Sequence, residues 1–318
     1  MKRVRIGTRG SALAQAQANE VKEALEKAHP DLRCELTVIR TTGDDFPPAA
    51  ASGTGAIKGL FVKEIEEALL GGEVELAVHS VKDLQAELPA GLRIGAILKR
   101  QDPRDALVTK GEGKRLTDLP PQARVGVSSL RRQSQLARLR RDLIFSPIRG
   151  NVDTRLRKLD GEEYAALVLA ACGLIRLGLK ERISETFEPA RMVPAPGQGA
   201  LGVEIREDNA ELAGWLAAVN DPDSQAEIEA ERAFLKALGG GCSVPVGALA
   251  RVHGESLTLT GAVLSPDGLK AIRKETTGPR RSAERIGTEL ASHLRADGAD
   301  RLLYGQWKRP MAGERANE

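Results

Sequence analysis

The side chains most able to do chemistry in this sequence stand in unusual surroundings. Leu238-Gly239-Gly240-Gly241-Cys242-Ser243-Val244-Pro245-Val246-Gly247 sets a thiol behind three glycines. Glycine loses more conformational freedom on folding than any other residue, so such a run implies backbone that must pass close to something. Pro245 stiffens the exit from the turn. Cys242 is then either a small apolar residue in a flexible hairpin or an accessible thiol carrying a covalent group. Cys34 and Cys172, in an expected strand and at a strand exit, are assigned no covalent role. Val78-His79-Ser80-Val81-Lys82-Asp83-Leu84 lies where an apolar strand ends. Ligands of open α/β sheets gather at the carboxyl ends of strands. Ser80, Lys82 and Asp83 are therefore placed for a site, the alternative being a merely polar strand exit.

Arginines recur at expected strand and helix ends: Arg9, Arg131, Arg132, Arg149, Arg155 and Arg176. They neighbour glycines and hydroxyls at turns, where a solvated helix face offers no explanation. Arg138-Leu139-Arg140-Arg141, by contrast, reads as a solvated charged face. Several guanidinium groups facing one cleft repel one another unless a polyanion lies between them. The ligand should carry many carboxylates or phosphates.

These groups need elements to hold them. The first two thirds of the chain alternate strand-like and helix-like segments, the pattern of an α/β domain. Val4–Gly7 reads as a strand, Ser11 as the cap of a helix to about Lys27, Glu35–Arg40 as a strand, Phe61–Leu70 as a helix and Leu76–His79 as a buried strand. The order returns with strand Arg124–Val127, helix Leu130–Leu139, strand Leu143–Ile148, helix Thr154–Leu159 and strand Ala166–Ala170. Arg5-Ile6-Gly7-Thr8-Arg9-Gly10-Ser11 parallels Arg124-Val125-Gly126-Val127-Ser128-Ser129-Leu130 as strand, glycine, hydroxyl-rich turn and helix start. Lys99–Pro103 and Val193–Gly199 suit two crossings between lobes. The expectation is a hinged clamp of two similar α/β lobes, like a periplasmic binding protein, with helix N-termini aimed at an anion in the cleft. From Ser224 the pattern changes to a helix, the glycine–cysteine loop and strands such as Ser256–Leu264, a smaller α+β domain. The expected limits are residues 1–98 with 199–217 for the first lobe, 103–194 for the second and 221–318 for the C-terminal domain. Residues 41–59, rich in Gly, Ala and Pro without period, are either a lid or a passive insertion.

Composition narrows the classes. Hydrophobic residues at 41% and charged residues at 29% describe an ordinary globular chain, and 318 residues suffice for two or three cores. Aromatic content of 3% and a formal charge of +3 argue against a nucleic-acid platform. The three cysteines and four histidines show no metal-ligand spacing, so no metal and no disulfide framework are expected. The N-terminus enters a strand at once without the apolar core of a signal peptide, and no apolar run reaches membrane-spanning length. A cytoplasmic protein, without membrane or nucleic-acid partner, is expected.

Five motifs occur together in order: Val78-His79-Ser80-Val81-Lys82-Asp83, Ser128-Ser129-Leu130-Arg131-Arg132-Gln133, Arg149-Gly150-Asn151, Pro196-Gly197-Gln198-Gly199-Ala200 and Gly239-Gly240-Gly241-Cys242. Together they resemble the porphobilinogen deaminase (hydroxymethylbilane synthase) family, from Arg5 to about Leu303. The resemblance implies a transferase of tetrapyrrole (haem and porphyrin) biosynthesis. Four porphobilinogen molecules would be joined head to tail with loss of ammonia, on a dipyrromethane cofactor held as a thioether, and linear hydroxymethylbilane released. It implies Cys242 as the attachment residue and Asp83 as the catalytic acid. It places Arg9, Ser11, Lys82, Ser129, Arg131, Arg132, Arg149, Arg155 and Arg176 on pyrrole carboxylates. Ser80, Ser128 and Gln198 belong to the matching motifs, and Lys58 and Phe61 match a segment beside the cofactor, which makes the preceding loop a lid. A monomer is expected. Asp153 and Gln85-Ala86 depart from the family pattern without removing a functional group.

The competing reading is a two-lobed ligand-sensing module of the same fold, since fold alone does not settle function. Such a module has no need of Cys242 in a glycine loop or of Asp83 among cations. Nucleic-acid binding through Arg131–Arg141 is a third reading, with no recognised motif behind it.

Overall fold

The computed structural model describes residues 2–41, 62–111, 113–239 and 244–305. Lys58, Phe61, Cys242 and, apart from Thr41, the segment expected as a lid or insertion lie outside the described residues.

The first lobe is a five-stranded sheet in the order β2-β1-β3-β10-β4, formed by β1 (Lys2–Thr8), β2 (Leu32–Val38), β3 (Leu76–Ser80), β4 (Leu92–Ile97) and β10 (Leu201–Arg206). β1 runs parallel to β2 and β3, and β10 is antiparallel to β3 and β4. Helix α1 (Ala12–Ala28) covers one face through Gln17, Ala18, Val21 and Leu25, a helical stripe. Its N-terminus is capped by Ser11, whose Oγ accepts from the Ala14 amide at 3.3 Å. Helix α2 (Lys63–Leu70) covers the opposite face with Ile65, Ala68 and Leu69.

The second lobe repeats the plan. Strands β5 (Asp105–Thr109), β6 (Arg124–Val127), β7 (Ile144–Pro147), β8 (Ala166–Ala170) and β9 (Glu185–Thr186) stand in the order β7-β6-β8-β5-β9. β6 is parallel to β7 and β8, and β5 is antiparallel to β8 and β9. In each sheet the fourth strand runs against its neighbours because it arrives from a crossing. β5 follows the first crossing and β10 follows the second. Helices α3 (Leu130–Leu139), α4 (Val152–Asp160) and α5 (Ala171–Arg176) complete this lobe. The helix expected over 154–159 starts earlier, at Val152.

After α6 (Ala210–Leu216), a third unit follows. Helices α7 (Pro222–Ala237) and α8 (Ala283–Ala296) pack on an antiparallel sheet of β11 (Val246–His253), β12 (Ser256–Leu264) and β13 (Ala271–Pro279). α9 (Ala299–Tyr304) closes the described chain.

The two crossings touch. The Gln101 amide donates to Gly199 O at 3.2 Å. Gly199 has φ +94° and a Cβ there would lie 2.4 Å from Gln101 O, so this approach requires glycine. Glu231 of α7, fully buried, ties both crossings to the third unit. Its carboxylate accepts from Arg100 Nη1 and Nη2 at 2.7 and 3.0 Å, from the Gly197 amide at 2.6 Å and from the Ala250 amide at 2.8 Å. Four donors offset the desolvation of one buried carboxylate.

Arg140 corrects one expectation. It is not part of a solvated face. Its guanidinium pairs with Asp142 at 2.6 Å and donates to Leu116 O and Leu119 O at 2.8 and 2.9 Å. Helix α3 ends at Leu139, so Arg140 turns back onto the loop preceding β6 and caps its carbonyls.

Between α2 and the sheet lies a buried polar group. His79 Nε2 is 3.0 Å from Glu204 Oε2, in contact but without hydrogen-bond alignment, so neither Glu204 oxygen has a hydrogen-bond partner. Burial, and then the Glu204 carboxylate, raise the Glu66 carboxyl above its ordinary 4.5. The unfolded chain releases this proton first as pH rises. Stability is therefore lost from pH 4.5 upward through the folded value. Glu66→Gln is expected to flatten that fall and to melt about 2–4 °C above the parent at neutral pH, by calorimetry across about pH 5–8. A variant melting below the parent throughout that range contradicts this account.

Candidate functional site

The site forms where the carboxyl ends of β3 and β8 meet the crossings. β3 ends at Ser80, whose Oγ accepts from Gln17 Nε2 of α1 at 2.7 Å. A single tight turn, Val81–Asp83, then places Lys82 and Asp83. This turn is held by the second crossing. Gly197 has φ +77°, and a Cβ there would lie 2.9 Å from the Lys82 amide nitrogen. Lys82 Nζ stands 3.5 Å from Gln198 Oε1.

Gln198, fully buried, is the centre of the arrangement. Its Nε2 donates to Pro103 O at 2.6 Å and to Asp105 Oδ1 at 3.0 Å, and its Oε1 accepts from Arg132 Nη2 at 3.3 Å. Asp105, at the head of β5, takes the two arginines of the first turn of α3. Arg131 Nη1 reaches Oδ2 at 2.6 Å and Arg132 Nε reaches Oδ1 at 2.8 Å. Arg131 Nη1 also donates to Val193 O at 2.8 Å and Arg132 Nη1 to Val168 O at 3.2 Å. Both arginines are thus positioned by Asp105 and backbone carbonyls. Arg131 Nε remains buried without a hydrogen-bond partner.

The electrostatics are one-sided. Burial alone would raise the Asp105 carboxyl, but the Arg131 and Arg132 guanidiniums and the Gln198 amide hold it well below the carboxylate range. Desolvation lowers Lys82 from the usual lysine value, more than Asp83 and Asp105 restore it. Desolvation and then the Arg132 charge lower Arg155 to about 10, with Asp83 opposing. Burial is the main cause of both shifts, and a buried cation gains from any further negative charge brought beside it. A ligand with several carboxylates would supply it, and Asp83 is the carboxylate closest in effect to both Lys82 and Arg155.

The other expected residues stand as follows. Ser128 Oγ donates to Ile148 O. Ser129 is the cap residue of α3 but its side chain makes no capping bond. Arg155 Nε donates to Gly150 O at 2.7 Å, and Arg149 is exposed. Arg9 is half-buried at the end of β1 beside Ser11. Arg176 is committed to Glu20 and Gly199 O. Burial, and then Glu26, push the Cys34 thiol up to about 11, which suits an inert cysteine; Cys172 is also buried. The loop that carries Cys242 is anchored at its described flanks. Tyr304 Oη donates to Leu238 O at 3.0 Å, and beyond the loop the Ala248 amide donates to Pro194 O of the second crossing at 3.0 Å.

Asp105, Gln17 and Glu20 were not legible as site residues. For Asp105 a signal exists: an acid heading the apolar run Ala106-Leu107-Val108 is buried with it and needs cations.

Comparison with known proteins follows the same lines. The family model described as porphobilinogen deaminase, dipyromethane cofactor binding domain, matches residues 4–214. The model for the porphobilinogen deaminase C-terminal domain matches residues 225–296. A porphobilinogen deaminase of Syntrophobacter fumaroxidans is 50% identical over 303 residues, covering 94% of this chain and 96% of the relative. One of Geobacter metallireducens is 47% identical over 317 residues, covering 99% and 98%. Among solved structures, the methionine binding protein MetQ is similar at a TM-score of 0.45 and 14% identity, covering 68% of this chain and 89% of that one.

Proposed function

The chain belongs to the porphobilinogen deaminase family, and on that premise we propose which of its residues carry the reaction. It is a transferase, a hydroxymethylbilane synthase that polymerises porphobilinogen on a dipyrromethane cofactor. The observation that carries the assignment of residues is the buried cluster next to Asp83, in which Arg131 and Arg132 pair with Asp105 at 2.6 and 2.8 Å and Gln198 Oε1 faces both Arg132 Nη2 and Lys82 Nζ.

The described residues fit the cofactor. Arg131 Nε is a buried donor without a hydrogen-bond partner, and the depressed cations call for carboxylates. When bound, the cofactor supplies acetate and propionate groups and the open pyrrole position at which substrate adds. Cys242 attaches it. Arg131, Arg132, Ser128, Ser129 and Lys82 hold its carboxylates, with Asp105 and Gln198 orienting the two arginines. Arg9, Ser11, Ser80, Arg149, Arg155 and Arg176 receive the carboxylates of porphobilinogen.

Asp83 works at the leaving amine. Its carboxylate accepts a hydrogen bond from the substrate ammonium, which leaves as ammonia with the C–N bonding pair, and then faces the positive charge left on the substrate carbon. A carboxylate opposite a developing cation is worth more in a partly desolvated site than in water. Lys82 and Arg155 both feel the Asp83 charge, which raises each of them against the lowering by burial.

The domain limits 1–98 with 199–217, 103–194 and 221–318 belong to the same proposal, supported by the membership of the three sheets. So do a monomeric state and a cytoplasmic location. Cys34 and Cys172, buried in different lobes and not paired with each other, fit a chain that does not rely on disulfides. No helix among the described residues is long and apolar enough to cross a membrane.

The intact mass of the purified protein tests this reading. The expected mass exceeds that of the sequence by one dipyrromethane, and an aldehyde reagent for pyrroles should colour the protein. Protein of unmodified mass that still made tetrapyrrole would overturn it.

A further inference from the structure

Arg176 has a partner that the reaction does not require. It is the last residue of α5 in the second lobe, and its side chain is 4% exposed. Its Nε donates to Glu20 Oε2 at 2.8 Å, and Glu20 belongs to α1 in the first lobe. Its Nη2 donates to Gly199 O, in the second crossing, at 3.0 Å. The two helices meet beside this pair: a Cβ added to Gly173 of α5 would lie 3.6 Å from Leu13 Cδ2 of α1. One guanidinium therefore joins a helix of each lobe to the hinge.

Two consequences follow from the chemistry. A carboxylate on the Nε side of a guanidinium occupies a position that a ligand carboxylate would take, so the two compete. The partners also sit on different lobes, so separating the lobes breaks the pair. Binding at Arg176 and lobe closure are then linked equilibria, each shifting the other by the same factor. Glu20 is one-third exposed, so solvent can stabilise its carboxylate once displaced.

We propose that Glu20 is a positioning residue: it docks Arg176 across the base of the cleft, and a carboxylate of the lengthening pyrrole chain displaces it, so that lobe separation follows chain length. This rests on the assignment of Arg176 to substrate carboxylates given above.

The test compares the parent with Glu20→Gln and Glu20→Asp, each supplied with one to three equivalents of porphobilinogen. Native mass spectra read how many pyrrole units each molecule carries. In Glu20→Gln no carboxylate competes for Arg176. Molecules whose added units reach Arg176 should accumulate about five- to tenfold over the parent, with KM and kcat falling together. Glu20→Asp keeps the charge and should shift the distribution by about twofold at most. A parent-like distribution in Glu20→Gln, with or without a lower melting temperature, would make Glu20 a surface strut and overturn the latch. A parent that adds no units at all would overturn the underlying assignment, and the latch with it.

Discussion

Asp83→Asn is expected to lower turnover by about a thousandfold, the range in which positioned acid–base groups act. The substitution keeps the size of the side chain and removes both its charge and its capacity to hold a proton. Asp83 opposes the depression of Lys82 and Arg155, so its loss also leaves those cations less compensated. The melting temperature should fall by only about 2–4 °C, because the site is half-buried and water screens part of the change. Asp83→Glu restores the charge but displaces it by a methylene, and a misplacement of about 1 Å costs about a hundredfold. Single-turnover release of ammonia and thermal melting, measured on the same two variants, separate chemistry from folding. An Asn variant with near-parental turnover would remove Asp83 from the mechanism and favour a ligand-sensing module of the same fold.

Cys242→Ser should lose the extra mass and all detectable product, because serine forms no thioether. A second effect is expected from the cleft itself. Without the cofactor carboxylates, the cations beside Asp105 and Asp83 lose part of their negative surroundings, and the variant should melt about 5 °C or more below the parent. The pH dependence has a definite sign. The folded Lys82 titrates below the ordinary 10.5, so the folded protein releases this proton before the unfolded chain does. Stability of the variant should therefore rise as pH climbs through the folded value towards 10.5, more steeply than that of the parent. Added citrate should raise its melting temperature more than the parent's, since a polycarboxylate can enter the vacated charge pattern. A Ser variant that keeps the extra mass would exclude Cys242 as the attachment point.

Much of the chain is readable from local pattern. Ser11 before an alanine-rich amphipathic run announces α1, and the five apolar residues of Ala166–Ala170 announce a buried strand, because capping and side-chain period act over a few residues. Arg5–Ser11 and Arg124–Leu130 read alike and open equivalent strand–turn–helix units in two sheets of one topology. The cation-rich character of the site is also legible, since arginines beside glycines at turns have few other uses. Arg140 misled for the complementary reason. Sequence shows a run of charges but not that the chain turns at Leu139 and brings three carbonyls to one of them.

What the sequence determined by itself, then, is the order of elements, the doubled α/β plan, and the family motifs to which Lys82, Asp83 and Cys242 belong. Only the tertiary structure decided what each cation is paired with. Asp105 lies 26 residues from Arg131 and Glu20 lies 156 from Arg176, so no local period links them. Their pairing is enforced by burial. A guanidinium taken out of water must find a carboxylate or carbonyl wherever the fold supplies one. Gln198 shows the same division. Its motif is visible in the sequence, but the four partners of its side chain come from both lobes and the first crossing, which meet only when the two crossings close against each other through Gly199.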